Sequence, residues 1–417
     1  SLERGFTAAT KKIDAVYETP FQAHATMEPM NCTAYIHDGI CEVWAPTQSP
    51  QAAQSVALRY AFPGLAWFWY KLRGRIQRKW RPPVVIHTTH LGGGFGRRLQ
   101  QDYVAEAVQV ARAVNAPIKL LWTREEDIQH DVYRPASYHR LTAGLDRKGI
   151  PVAWHHKITG PSIRESLWPG SVKDGHDSTS TEGATHLPYS ISNVQVQYVM
   201  SQVSVPCGYW RSVGHSNNAF VTECFLDELA KASGMDPLIY RLTMLADKPR
   251  HRAVLELAAT KAKWGRRILK GRYQGIALHS SYGSYVAQVA EVSIGDTGEV
   301  KVHRVVCAID CGMVVNPNTV AAQMEGSVAF ALSAVLKGAI TVVDGRIAQG
   351  NYHDYPILRI DEMPVVETHI IKSNELPGGV GEPGVPPMAP AVINAIYAAT
   401  GRRIRRLPVR LEDIKLP

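Results

Sequence analysis

The sequence predicts a mixed α/β fold in two lobes, and three observations carry that expectation. A β-branched strand, Val84–Thr88, leads into a glycine-rich loop at 91–98. The helical pattern Asp102–Val114 follows, and a return strand lies at 118–122. Further on, strand patterns at 286–294 and 300–309 flank an Asp296-Thr297-Gly298 turn, with a long helical pattern, Pro317–Leu336, behind them. Finally, 417 residues are more than a single hydrophobic core usually organises. The boundary falls near Gly271, giving lobes 1–270 and 271–417.

Each element has a local reason. Asp38-Gly39 supplies the two left-handed positions of a tight hairpin. A two-residue turn there sets Ile36 opposite Cys41 and leaves Cys32 four residues further back, so a Cys32–Cys41 disulfide is not expected. In Asp102–Val114, Val104, Ala107, Val108 and Ala111 share one face. A second helix is expected over 219–232, with Asn218 as N-cap, Gly234 as stop, and Val221, Phe225 and Leu229 as its apolar stripe. Asp236-Pro237 begins another, running to 245. A basic helical connection spans 248–271. Gly326 is expected to interrupt the helix Pro317–Leu336, and an alanine-rich helix runs from Pro390 to a stop at Gly401.

Composition narrows the classes. Hydrophobic residues are 45% and charged residues 20%, the balance of a globular chain. The net charge of +9 comes from scattered basic residues, apart from 71–81 and 402–406, and no nucleic-acid-binding module accompanies it. The six cysteines form no CxxC pair and no iron–sulfur spacing. No signal peptide opens the sequence, and no apolar run is read as membrane-spanning. The segment 62–81 combines dense aromatics with arginines and lysines. It reads as an interfacial helix, or as a partner-covered insertion or locally aberrant sequence, and Pro63 and Gly64, which interrupt a helix, favour the latter pair.

Four segments offer chemistry. Gly92-Gly93-Gly94-Phe95-Gly96-Arg97 lacks the third glycine of a dinucleotide fingerprint and the Lys-Ser/Thr of a P-loop. Its glycines still free backbone N–H groups to face an anion or an oxo ligand, with Phe95 presented among them; a tight strand-to-helix turn is the alternative. Arg211-Ser212-Val213-Gly214-His215 precedes a helix, a setting for a permanent cation that holds an oxyanion or forms a structural ion pair. Glu382, in Gly379-Val380-Gly381-Glu382-Pro383-Gly384, has no cation between 374 and 400. Burial there would raise its pKa and leave a general base, while a solvated turn would leave an ordinary carboxylate. His24 and Glu28, four residues apart, suggest half a metal site or a polar turn, and no third ligand accompanies them. The stretch from Asp310 to Asn316, with Gln323 and Gly326 beyond, reads as cofactor support or as a turn and cap.

Taken in order, His24–Pro29, the Gly-Gly-Gly-Phe-Gly-Arg-Arg loop, Trp210–Phe220 and the Glu382 loop resemble the molybdenum-binding subunit of the xanthine dehydrogenase and aldehyde oxidase family. Isoquinoline 1-oxidoreductase β-subunits and bacterial membrane-bound aldehyde dehydrogenases are similar to it over nearly the whole chain. The resemblance implies two elongated cofactor-binding lobes and a pyranopterin molybdenum cofactor in its cytosine dinucleotide form, with no direct protein ligand to the metal. It implies that Glu382 is the base that deprotonates the metal-bound hydroxyl, and that Phe95 lies against the apical oxo group. Cofactor contacts are implied for Gly93, Gly94, Gly96, Arg97, Arg211, Ser212, Val213 and Gly381. The implied reaction oxidises an aldehyde to a carboxylic acid, or hydroxylates an N-heteroaromatic carbon, with water as oxygen source.

Two departures from the family pattern stand out: the Gly-Gln-Gly motif is absent, and the segment 62–81 is longer and more basic than expected. The resemblance therefore implies a partner chain carrying Gly-Gln-Gly, a [2Fe–2S] subunit to receive electrons and, in membrane-linked relatives, a cytochrome c subunit. The expected location is the periplasmic side of the cytoplasmic membrane. A non-catalytic structural or assembly subunit is the alternative that the missing motif favours.

Overall fold

The computed structural model describes residues 1–64, 68, 72, 83–266 and 268–414. Most of the segment 62–81 lies outside them. The architecture is mixed α/β, built on three four-stranded sheets. The first sheet orders the strands Lys11–Thr19, Ser137–Leu145, Pro151–Gly160 and Val194–Met200. The second orders Val365–Ile370, Val300–Asp310, Ser284–Ile294 and Tyr273–Ser281.

The third sheet holds the expected strand–loop–helix–strand unit, but Val84–Thr88 and Ile118–Leu121 are not neighbours. They form opposite edges, with the hairpin strands Asn31–His37 and Ile40–Ala45 between them. Asp38 and Gly39 take φ of 48° and 75°, and Ile36 pairs with Cys41 as the turn dictates. Cys32 sits opposite Leu120 on the other neighbour, and all six cysteines are free and buried. Helices Pro50–Ala61 and Asp102–Val114 bring Ala53, Ala57, Tyr103, Val104 and Ala107 to this sheet's core.

A larger core draws on both sides of Gly271, joining Tyr17, Phe220, Phe225, Ile276, Val305 and Ile393. At its centre lies helix Gly214–Ala232, buried along almost its full length. Burying each phenylalanine ring there stabilises by roughly 1.5–3 kcal/mol. The helix starts five residues before the expected position. Ser212 and Val213, at φ of 75° and 50°, turn the chain into it, while Asn218 donates to the carbonyls of Ser180 and Glu182. Its carboxylates are buried but paired. Glu223 meets Arg241, Asp227 meets Arg403, and Glu228 meets Arg405.

Helix Pro317–Leu336 is capped by Asn316 and passes through Gly326 without a break. Gly326 lies against the site: a Cβ there would stand 3.8 Å from Arg211 Nη1, an ordinary van der Waals distance. This helix is long and apolar enough to cross a membrane, contrary to the reading from sequence. Its buried residues, among them Met324, Val328 and Leu332, instead complete the protein core. The last long helix, Met388–Thr400, ends at Gly401 in the left-handed conformation.

The first sheet buries His139 and His156 side by side, Nδ1 to Nε2 at 2.9 Å. Burial lowers the His139 pKa to about 3; burial, with His139 and His155 beside it, holds His156 well below the usual range. In the unfolded chain each takes up a proton near pH 6.5. Between those limits the unfolded state holds more protons, so acidification favours unfolding. The urea midpoint is expected to fall as pH drops from 6.5 towards 4. In His156→Gln the fall should be shallower by about one proton equivalent.

Candidate functional site

The glycine loop, the start of helix Gly214–Ala232, helix Pro317–Leu336 and the Glu382 loop converge on one cleft of about 700 Å³. Gly94, Phe95, Gly96, Arg211, Val213, Gln323, Gly381 and Glu382 are among its lining residues.

The loop is held from behind by a buried arginine that the sequence reading did not single out. Arg98, fully buried, donates from Nε to the Gly93 carbonyl at 2.8 Å and from Nη2 to the Glu28 carbonyl at 2.7 Å and carboxylate at 3.0 Å. Glu28 in turn accepts from Gly92 N at 2.8 Å. The polar-turn reading therefore fits Glu28, and His24 bonds Asp131 and the Tyr209 carbonyl rather than joining Glu28 at a metal. Gly96 has φ of 110° and donates to Gln48 Oε1 at 3.0 Å; a Cβ there would come within 1.6 Å of the Tyr209 carbonyl oxygen. Only glycine permits that approach, which joins the loop to the Arg211 segment.

Phe95 also takes a positive φ, 55°, an uncommon state for an aromatic residue and one stored where surrounding structure enforces it. Its ring stacks on Phe330 at 4.4 Å, and Trp210 stacks on Phe330 at 4.4 Å as well. Arg97 is placed differently from the rest. Its guanidinium bonds both oxygens of Asp102, at 3.0 and 2.7 Å, and lies 3.2 Å from Asp131, so its charge serves the scaffold rather than the cleft.

Arg211 spans the site. Nε donates to the Gly381 carbonyl at 2.7 Å and Nη2 to Gln323 Oε1 at 3.1 Å, while Nη1 has no hydrogen-bond partner among the described residues. Burial lowers its pKa to about 10, with Glu382 opposing that shift, so it stays cationic at neutral pH. Ser212 N donates to Glu382 Oε1 at 2.9 Å, fixing the carboxylate. Glu382 is half-buried rather than enclosed. The Ser212 hydroxyl is fully buried and has no hydrogen-bond partner among the described residues.

An adjoining apolar chamber of about 200 Å³ shares Phe95, Trp210 and Gly326 with the cleft and adds Phe330, Ala334 and Ile357. Gln48, Tyr282 and Phe330 were not legible as site residues. They lie far apart in sequence and carry no motif. Gln323, read only as possible support, reaches Arg211 directly.

This arrangement suits an oxygen-rich anionic cofactor. It offers an unpaired guanidinium nitrogen, an unpaired buried hydroxyl and a glycine cradle that a Cβ would fill. Molybdopterin cofactor-binding domains match the chain over residues 1–61 and 81–245, and again over 242–364. The chain belongs to the molybdopterin cofactor-binding family. The first match breaks at 62–80, within the segment that departs from the family pattern. Isoquinoline 1-oxidoreductase subunit beta of Brevundimonas diminuta is 30% identical over 95% of this chain and 49% of its own length. Membrane-bound aldehyde dehydrogenase (pyrroloquinoline-quinone) of Gluconacetobacter polyoxogenes is 29% identical over 99% of this chain and 55% of its own. The chain thus spans about half the length of these relatives. The fold matches aldehyde oxidoreductase from Desulfovibrio desulfuricans with a TM-score of 0.79 at 17% identity, over 98% of this chain and 61% of that one. This molybdopterin-binding chain therefore takes the fold of the molybdenum hydroxylases.

Proposed function

We propose that the chain is the substrate-oxidising component of a molybdenum hydroxylase, acting on an aldehyde or an N-heteroaromatic ring. The observation that carries this reading is the convergence of the Phe95 loop, Arg211 and Glu382 on one cleft. When bound, the pyranopterin molybdenum centre supplies a two-electron oxidation with water as oxygen source. The protein's own residues supply position, charge and proton transfer. The glycine loop and the Ser212 hydroxyl offer hydrogen bonds to the cofactor, and Arg211 Nη1 offers a desolvated positive donor where negative charge develops. Glu382, oriented by Ser212 N, takes the proton released as oxygen is transferred. The apolar chamber beside Phe95 gives room for an alkyl or aromatic group.

The cytosine dinucleotide form, a [2Fe–2S] electron-accepting subunit, a partner chain carrying Gly-Gln-Gly, a cytochrome c subunit and a periplasmic, membrane-associated location belong to the same proposal. The family match supports the cofactor class, and the names of two relatives as subunits or membrane-bound enzymes support a complex. A panel of aldehydes and N-heteroaromatics with an artificial dye acceptor tests the reaction. Turnover of either class supports it. Inactivity of the metal-loaded complex towards both favours a structural subunit, the reading consistent with the missing Gly-Gln-Gly motif.

A further inference from the structure

A buried histidine and aspartate, His24 and Asp131, stand between the glycine loop and the segment that carries Arg211. His24 Nε2 lies 2.8 Å from the Tyr209 carbonyl oxygen, two residues before Arg211. A Cβ on Gly96 would meet that same oxygen at 1.6 Å and would stand 3.4 Å from His24 Nε2. The Tyr209 carbonyl is therefore clamped between the glycine loop and the His24 ring. The following residue is tied to the same turn, since Trp210 Nε1 donates to the Ala23 carbonyl at 3.2 Å.

The hydrogen-bond partners fix the state of the His24 ring. A carbonyl oxygen only accepts, so Nε2 carries a proton. Nδ1 lies 2.9 and 3.0 Å from the two oxygens of Asp131. Donors surround that carboxyl group: Val132 N at 2.7 Å on Oδ1, His24 N at 2.6 Å on Oδ2, and Arg97 Nε at 3.2 Å from Oδ1. Two backbone N–H groups and a guanidinium favour the carboxylate over the acid, so Asp131 accepts and Nδ1 donates as well. An imidazole that donates from both nitrogens is a cation. Charge balance points the same way. Arg97 faces two carboxylates, Asp102 and Asp131, and one further positive charge neutralises the group. Asp127, nearby, has its own partner in Arg124 at 2.6 Å. The Tyr133 and Tyr355 phenols are the other titratable groups that feel Asp131.

We infer that His24 is a fixed imidazolium and a positioning residue for Arg211. It holds the Tyr209 carbonyl through Nε2, and so sets where the Arg211 guanidinium meets the Gly381 carbonyl. The series Arg97, Asp131, His24, Tyr209 runs from the end of the glycine loop to the Arg211 segment, which keeps the two walls of the cleft at one spacing. The effect on turnover rests on the reading of Arg211 as the cation of a hydroxylase site. The charge on the ring does not.

Neutron diffraction from crystals of the purified protein, exchanged into heavy water near neutral pH, tests that charge without any variant. Deuterons are expected on both Nδ1 and Nε2 of His24 and on neither oxygen of Asp131. A deuteron missing from either nitrogen, or one found on Asp131, overturns the inference. The positioning role is read in the metal-loaded complex. His24→Gln keeps an N–H donor but removes the charge, and should lower kcat roughly 10-fold with KM little changed. The same substitution should cost less than ~2-fold when Arg211 has already been replaced by lysine, because the two residues act as a unit. An equal cost in the two backgrounds marks a merely structural histidine and overturns the positioning role. If the complex shows no hydroxylase activity, the neutron result still decides the imidazolium, so the two readings fail separately.

Discussion

Replacing Glu382 by glutamine is expected to cut turnover at least ~100-fold while bound molybdenum stays at the level of the unmodified protein. The substitution keeps the oxygen that accepts from Ser212 N and preserves side-chain volume, so the Gly381–Glu382 loop and its bond to Arg211 should hold. What is lost is the ability to take a proton. The loss should fall on kcat rather than KM, because the missing interaction belongs to the proton-transfer step. Steady-state kinetics beside metal analysis reads both quantities. Retained turnover would remove Glu382 from the base role.

The second large effect concerns stability. Arg241→Met is expected to cost about 3–5 kcal/mol, measured by urea unfolding, because it strands Glu223 inside the main core. Arg241 is fully buried and donates to Glu223 Oε2 at 2.9 Å, the Glu223 carbonyl at 2.9 Å and the Pro237 carbonyl at 3.1 Å. Glu223 also accepts from Tyr189 at 2.6 Å and from Leu278 N at 2.9 Å, so one carboxylate joins the central helix, its successor and the second sheet. Burial opposes the Arg241 charge, yet Glu223, Tyr189 and Asp227 together hold its pKa above the usual range. Arg241→Met combined with Glu223→Met should cost less than the sum of the two single changes, since neither charge is then left alone. Additive costs would show that the pair is not coupled.

Sequence reading succeeded where structure is written locally. Asp38-Gly39 specified its hairpin register, helices Asp102–Val114 and Pro317–Leu336 follow their apolar periodicity and end signals, and Gly401 ends Met388–Thr400 by turning left-handed. It failed where distant groups decide. Asn218 reads as an N-cap, but strained Ser212 and Val213 start the helix earlier, and the Asn218 amide nitrogen instead donates to the carbonyls at 180 and 182. Gly326 reads as a helix breaker, whereas the helix Pro317–Leu336 runs through it unbroken because its apolar face is packed into the core. Within the site, Phe95, Arg211 and Glu382 were legible because each sits in a distinctive motif. The orientation of Arg97 towards Asp102 was not, since one arginine beside another carries no sign of which faces the cleft. Tyr282 lies about a hundred residues before Glu382, in a stretch without a motif, and only the fold brings the two to one cleft.

The central claim is that this cleft holds a molybdenum cofactor beside Glu382. The most direct test is molybdenum analysis, with identification of the released pterin, on protein purified together with its natural partners. Stoichiometric molybdenum and a pterin are predicted, with both diminished when Arg211 is replaced by methionine. A complex that contains all its partners and carries no molybdenum would contradict the account.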